Sequence, residues 1–396
     1  MLRERSILTT NPPGARPDGN AASPKLRLTF LTVLPSPYQR DLFRALNASG
    51  RFEVRVHYYT MTSRDHRWLA TPATAFESVL PGRTLKWLGA SAHWNPGIMR
   101  AIDADDADLH IVSDYSAPTA QVAMRHLTRR RRPWVFWGER PGFQSRGRVG
   151  TMIRNVLQRP LRDATAIAAI GTWAVPVYQR ALPGKPVFNI PYFCDLAPYR
   201  AARRAAAGAR RETIDVLFSG QFIERKGIDI LLAAFLQIAR ERPRLRLLLL
   251  GDGPLRAAIE AGVAQDLRDR VVFLGFRQPA ELPELFAAAD VFVLPSRHDG
   301  WGVVVNEAIG AGLPVIVSDR VGAAHDLVVD GVNGFIVPPA HAGALAQAIS
   351  RLAASAELRT ACAAASVAMA QAFDLDTAVD RWADLSRQVL RHDVTP

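Results

Sequence analysis

Residues 289–339 read ADVFVLPSRHDGWGVVVNEAIGAGLPVIVSDRVGAAHDLVVDGVNGFIVPP, and their punctuation decides the fold. Four apolar residues, Val291 to Leu294, stop at Pro295 and predict a buried strand. A polar loop follows, Ser296 to Gly302, with glycine at 300 and 302. Val303 to Ile309 predicts the start of a helix that carries Glu307, with Gly310 and Gly312 near its end. Pro314 to Val317 predicts the next strand. Strand, glycine loop, helix and strand make one βαβ unit of a parallel sheet.

In open α/β sheets small ligands bind outside the carboxyl ends of the strands, which here means the 296–302 loop. Gly300 and Gly302 let a ligand approach the backbone. Free N–H groups near Val303 and Val304 suit a phosphate or pyrophosphate. Asp299 in the loop and Glu307 on the helix can both reach hydroxyl groups of a sugar or ribose. The plainer alternative is a tight turn followed by a solvated glutamate. Trp301 between two glycines, ahead of three valines, is unusual loop composition.

The chain of 396 residues is long enough for two domains, and 48% hydrophobic with 22% charged residues is the composition of a folded protein. Cys194 and Cys362 supply neither a disulfide framework nor zinc-ligand spacing. No apolar run approaches the roughly 20 residues of a membrane helix, and residues 1–24 read as a disordered leader, so a cytoplasmic protein is expected. The net charge of +12 is unevenly spread: residues 1–200 hold 28 Lys and Arg against 14 Asp and Glu, whereas residues 201–396 hold 21 against 23. The basic first half fits an anionic membrane surface or an acidic substrate, or reflects an Arg-rich proteome. No nucleic-acid motif accompanies the Arg129–Arg132 run.

Strands at Lys25–Leu34 and Phe52–Tyr59 flank a helix at Gln39–Leu46, so the first half also reads as doubly wound. Thr62 to Pro96 reads as a long loop region, a candidate cover for the active site. Trp134 to Trp137 predicts a strand ending in Gly138, Glu139 and Arg140. Gly147 to Leu161 predicts a basic amphipathic helix, which can lie on a membrane or be an ordinary surface helix. Asp195 to Glu212 resembles an interdomain linker. Four strands then end in glycine or polar loops, at Gly220, Gly251, Gly275 and Pro295. His341 to Gln371 reads as helical throughout, and Asp374 to Leu390 as a last helix.

The pieces SGQFIERKGIDILLAAF, LLLLGDGPL, VVFLGF, ADVFVLPSRHDGWGVVVNEAIGAGLPVIVSD and DGVNGFIVPP, in that order over residues 214–340, resemble the retaining glycosyltransferases of family 4. LPSPYQRDLF, Gly171-Thr172-Trp173 and NIPYFCDLAPY extend the resemblance more loosely into the first half. It implies the glycosyltransferase-B fold, two Rossmann-like α/β domains facing a cleft: an acceptor domain over 25–210, a nucleotide-sugar domain over 211–373, and a crossover helix and tail over 374–396.

The family's acidic pair, with seven residues between, falls on Asp299 and Glu307. The resemblance implies that Glu307 binds the ribose and Asp299 the donor sugar, and that the backbone at Gly302, Val303 and Val304 holds the pyrophosphate. The family's basic pair falls on Gln221, in place of an Arg, and on Lys226. Lys226 with Arg225 would then stabilise the leaving diphosphate without a metal, because two cations match its charge. A cation pair at a helix start opposes the helix dipole and so suggests a bound anion. Gly220, Phe276 and Arg277 complete the donor-binding set.

His110 and His126 lack the setting of the family's catalytic His, and Glu139 is the acceptor-side candidate. The expected activity is sugar transfer from a nucleoside diphosphate sugar to a glycan or lipid-linked acceptor in surface polysaccharide assembly, with no nucleic acid partner. The alternative is a catalytically weak or inactive nucleotide- or glycan-binding scaffold of the same fold.

Overall fold

A computed structural model describes residues 24–61, 72–85, 92–142, 147–206, 208 and 212–392. Fifteen strands occur among the described residues: β1 Leu26–Thr32, β2 Phe52–Tyr58, β3 Glu77–Val79, β4 Arg83–Thr84, β5 His93–Trp94, β6 Leu109–Val112, β7 Trp134–Gly138, β8 Ala166–Ala169, β9 Val187–Asn189, β10 Ile214–Ser219, β11 Leu245–Leu250, β12 Val271–Gly275, β13 Val291–Leu294, β14 Val315–Ser318 and β15 Gly334–Val337. Two parallel sheets result, ordered β3-β2-β1-β6-β7-β8-β9 and β12-β11-β10-β13-β14-β15. A small antiparallel pair, β4-β5, stands apart. Strands β6, β7, β13 and β14 are buried at every position. Covered on both faces, a parallel strand is apolar throughout rather than alternating.

Strand order reverses between β1 and β6 in the first sheet and between β10 and β13 in the second. Those reversals open a crevice at the carboxyl edge of each sheet. The loops after β10 and β13 therefore meet, although they lie far apart in sequence.

The regions with weak periodicity differ most from expectation. The described parts of Thr62–Pro96 are not one loop: Arg83–Thr84 pairs with His93–Trp94, and Glu77–Val79 is an edge strand beside β2, four positions along the sheet from β7. A buried ion pair holds it, with Arg40 Nη2 donating to Glu77 Oε2 at 2.6 Å while Tyr58 Oη donates to Oε1. Residues 62–71 and 86–91 of that region, and the leader to residue 23, lie outside the described residues. The linker is not free either. Its helix, Ala197–Ala205, packs Tyr199 edge-on against Phe286, and Arg203 donates to the carbonyls of Ala287 and Ala289.

The predicted helix 147–161 ends at Leu157 and continues as a 3-10 turn, Arg159–Asp163, because Pro160 lacks the N–H an α-helix needs. The helical reading of 341–371 splits at Ser355, whose hydroxyl accepts from Leu358 N and caps the second helix.

The last helix, Leu375–His392, returns to the first sheet. Its Trp382 meets Phe30 at 5.3 Å and Trp137 at 5.4 Å, both edge-on, in a fully buried cluster. Edge-to-face contact suits the ring quadrupoles and adds to area burial.

Candidate functional site

The loop after β10 forms a 3-10 turn, Glu224–Lys226, before the helix Ile228–Ile238. Gly227 makes the junction with φ 69, where an added Cβ would stand 2.2 Å from the Pro295 carbonyl oxygen. Only glycine lets the two loops approach this closely. Arg297 locks them together: its guanidinium donates to Glu224 O at 2.6 Å and forms a fork with Asp229 at 2.6 and 2.8 Å.

Across this junction Lys226 Nζ stands 2.5 Å from Asp299 Oδ2, and Arg225 Nη1 3.4 Å from Oδ1. Asp299 is buried. Burial alone would raise its pKa, but Lys226 and then Arg225 outweigh it, and the carboxyl stays below its ordinary value. Arg225 and Lys226 thus sit on the turn before the helix rather than in its first turn. The anion they meet here is Asp299, so the helix-dipole argument does not locate them.

Glu139, at the end of β7, faces this cluster. A Cβ added to Gly300 would stand 1.6 Å from Glu139 Oε2. The side chain keeps contact with water but is crowded by protein. Desolvation, followed by the Asp299 charge, pushes its carboxyl up to about 7. The nearby Tyr192 hydroxyl slightly opposes that rise, and the Tyr192 ring tilts against Tyr38 at 4.8 Å. Those tyrosines lie within NIPYFCDLAPY and LPSPYQRDLF, but nothing local in either stretch pairs them with Glu139.

Glu307 lies on the helix Val304–Gly310, half-buried. Desolvation pushes its carboxyl up to about 7, against a hydrogen bond from Tyr199. The helix begins beside Val303, and Gly302 turns the chain into it with φ 89. Gly220 follows β10, where its carbonyl oxygen stands 1.9 Å from a Cβ added to Gly251. Gln221 continues that loop.

Other expected residues stand apart. Phe276 and Arg277 follow β12, the edge strand two positions from β10, and Arg277 is engaged by Glu281 at 3.3 Å. Trp301 is 1% exposed, its Nε1 donating to Asn306 Oδ1 at 2.9 Å, so its unusual setting reflects packing. His110 is buried 3.6 Å from Asp105, and His126 pairs with Asp103 at 2.8 Å.

The two halves meet beside the site. Asp326 accepts from Thr172 N at 2.9 Å, Thr172 Oγ1 at 3.0 Å and Asn189 Nδ2 at 3.1 Å. Arg140 covers the Trp173 ring at 4.3 Å, and that ring stacks on His325 at 4.5 Å. Among the described residues no group of three or more His, Cys, Asp or Glu could hold a metal.

Residues 213–355 match the family described as Glycosyl transferases group 1. The alpha-D-kanosaminyltransferase of Streptomyces kanamyceticus is 30% identical over 240 residues, 58% of this chain and 62% of that protein. Among the first three curated relatives the match covers between 38% and 62% of their length. Sucrose-phosphate synthase from Thermosynechococcus elongatus has the same fold, with a TM-score of 0.73 at 23% identity over 93% of this chain and 100% of that one. So has Anabaena HepE, solved with UDP, with a TM-score of 0.69 at 21% identity over 92% and 100%. The carboxyl edges of the two sheets thus face each other as in the glycosyltransferase-B fold, and residues 213–355 are similar to the group 1 glycosyl transferases.

Proposed function

We propose that the chain is a retaining glycosyltransferase of family 4 that takes a nucleoside diphosphate sugar as donor. The observation that carries this reading is the convergence of Lys226 and Arg225 on Asp299, opposite Glu139, at the facing sheet edges. Two cations suit a diphosphate, and the two flanking carboxylates suit sugar hydroxyls. The bond from the anomeric carbon to the diphosphate oxygen breaks as a bond to the acceptor oxygen forms on the same face. The acceptor proton leaves with the diphosphate.

In this reading Lys226 and Arg225 stabilise the departing charge and Asp299 orients the donor sugar. Glu307 holds the ribose, and Gly220, Gln221, Gly302, Val303 and Val304 line the nucleotide. Glu139 hydrogen-bonds the acceptor hydroxyl. Phe276 and Arg277 are assigned to the nucleotide's outer edge. No metal is required, because the cations already neutralise the leaving group. The acceptor is a glycan or a lipid-linked glycan at the cytoplasmic membrane face, in surface polysaccharide assembly. Gln221, standing where the family has an Arg, removes one cation and sustains a second reading as a weakly active nucleotide-binding scaffold.

The test is thermal unfolding with UDP, GDP, ADP and CMP in the presence of a chelator, with UDP first because HepE was solved with it. One diphosphate should raise the melting temperature, and Glu307→Ala should abolish the shift. Hydrolysis of the matching nucleotide sugar then separates enzyme from scaffold. No shift with any nucleotide would remove the donor assignment.

A further inference from the structure

Asn306 lies on the helix Val304–Gly310, one residue before Glu307, and is fully buried. Its amide makes two hydrogen bonds of opposite sense. Trp301 Nε1 donates to its Oδ1 at 2.9 Å, and its Nδ2 donates to the carbonyl oxygen of Tyr192 at 3.1 Å. An indole N–H can only donate and a backbone carbonyl can only accept, so one orientation of the amide satisfies both. The two partners belong to different halves of the chain. Trp301 stands in the 296–302 loop between Gly300 and Gly302, whereas Tyr192 follows β9 of the first sheet.

The Trp301 ring also reaches into the first half. Gly171 follows β8 with φ 89, and a Cβ added there would stand 2.6 Å from Trp301 Cζ3. The main chain of Trp301 is held from its own half, where Ala323 N donates to the Trp301 carbonyl oxygen at 2.9 Å. Backbone thus fixes the loop to the second half, and the Trp301 side chain fixes it to the first.

Both contacts lead to Glu139. The Tyr192 ring stands edge-on to Trp137 at 5.3 Å. Trp137 precedes Glu139 by two residues, and Tyr178 Oη donates to the Glu139 carbonyl oxygen at 2.7 Å. On the loop side, Gly300 beside Trp301 leaves the space that the Glu139 carboxylate fills. An apolar pair would occupy the Trp301–Asn306 volume with no polar group to desolvate. Hydrogen bonds fix direction where apolar contact does not, and a fully satisfied buried set of them specifies one arrangement.

We propose that Asn306 is a positioning residue: it ties the 296–302 loop, through Trp301, to the first-half backbone at Tyr192, and so sets the gap between Asp299 and Glu139 in which the sugar is transferred. The tie stands on geometry; its effect on transfer rests on the glycosyl-transfer reading.

The experiment compares the full chain with Asn306→Asp and Trp301→Phe. An ionised Asp still accepts from Trp301 but has no proton for Tyr192 O, and Phe keeps a ring while losing the N–H. Should Asn306→Asp fail to fold, Trp301→Phe carries the same comparison. Hydrogen exchange read by mass spectrometry should quicken about tenfold over 187–192 and over 296–303 together. The melting shift with the nucleoside diphosphate should persist. Release of UDP from UDP-glucose, or of whichever diphosphate gives the shift from its glucose conjugate, should fall about ten- to 100-fold in turnover with little change in KM. In a Glu139→Ala background the same substitutions should cost no further turnover.

Unchanged exchange, or exchange that quickens over 296–303 alone, would overturn the tie and make the amide a local packing feature. Undiminished turnover, or a loss that adds to that of Glu139→Ala, would overturn the positioning role. Faster exchange at both segments with no nucleotide shift leaves the tie standing and removes the donor assignment alone.

Discussion

Lys226 Nζ lies 2.5 Å from Asp299 Oδ2, and water is largely excluded from both side chains. Shielding strengthens their attraction and makes either one costly alone. Lys226→Ala leaves Asp299 with only the longer Arg225 contact. We expect a stability loss of about 1–3 kcal/mol in urea unfolding, and a fall in turnover of about 100- to 1,000-fold. Asp299 has a depressed pKa, so its contribution is complete above the unfolded carboxyl's value and is lost as pH falls through the lower folded value. The destabilisation by Lys226→Ala should therefore shrink in strong acid. A variant with undiminished turnover would take Lys226 out of the reaction.

Gly300→Ala separates stability from activity. The added methyl collides with the Glu139 carboxylate, the far end of a side chain that can swing away. Unfolding should move by less than about 1 kcal/mol. Turnover should fall, and combining Gly300→Ala with Glu139→Ala should cost no more than Glu139→Ala alone. Additive losses would mean that the methyl acts elsewhere.

Glu139 and Glu307 both carry carboxyls pushed up to about 7. A raised carboxyl makes the folded state bind more protons than the unfolded chain, so stability falls as pH rises from about 4.3 to about 7. Glu307→Gln lacks this loss. The melting temperature of Glu307→Gln relative to the parent should be more favourable at pH 8 than at pH 5, and a gap independent of pH would contradict the shift. Glu139 keeps contact with water, so its effect should appear in activity instead: turnover should rise with pH through about 7, and Glu139→Gln should flatten that limb.

Trp382 is fully buried against Phe30 and Trp137. Trp382→Ala should cost about 3–5 kcal/mol, read by denaturant unfolding, and should free the last helix to exchange its amide hydrogens. Protection unchanged along Leu375–His392 would show that the aromatic cluster does not hold it.

The 289–339 stretch was legible because its signals are local. Pro295 stops a strand, Gly300 and Gly302 loosen a loop, and Glu307 rides the helix that follows; all of this appears where expected. Edge strand β3 was not legible, because three residues of Glu-Ser-Val carry no periodicity, and the buried Arg40 on a distant helix is what holds Glu77. Tyr192 and Tyr38 could not be assigned to Glu139, since each sits in a different loop of a different βα unit.

By itself the sequence determined the order of strands and helices, the glycine loops at their ends, and the acidic and basic residues those loops carry. The tertiary structure decided that Lys226 meets Asp299, 73 residues away, and that Gly300 yields its space to Glu139. It also decided which aromatic rings, Phe30 and Trp137, receive the last helix on the first sheet. Periodicity and turn chemistry act over a few residues and are written in the chain. Which loops face each other depends on the order in which strands pair, and that order is settled by the burial of both sheet faces at once.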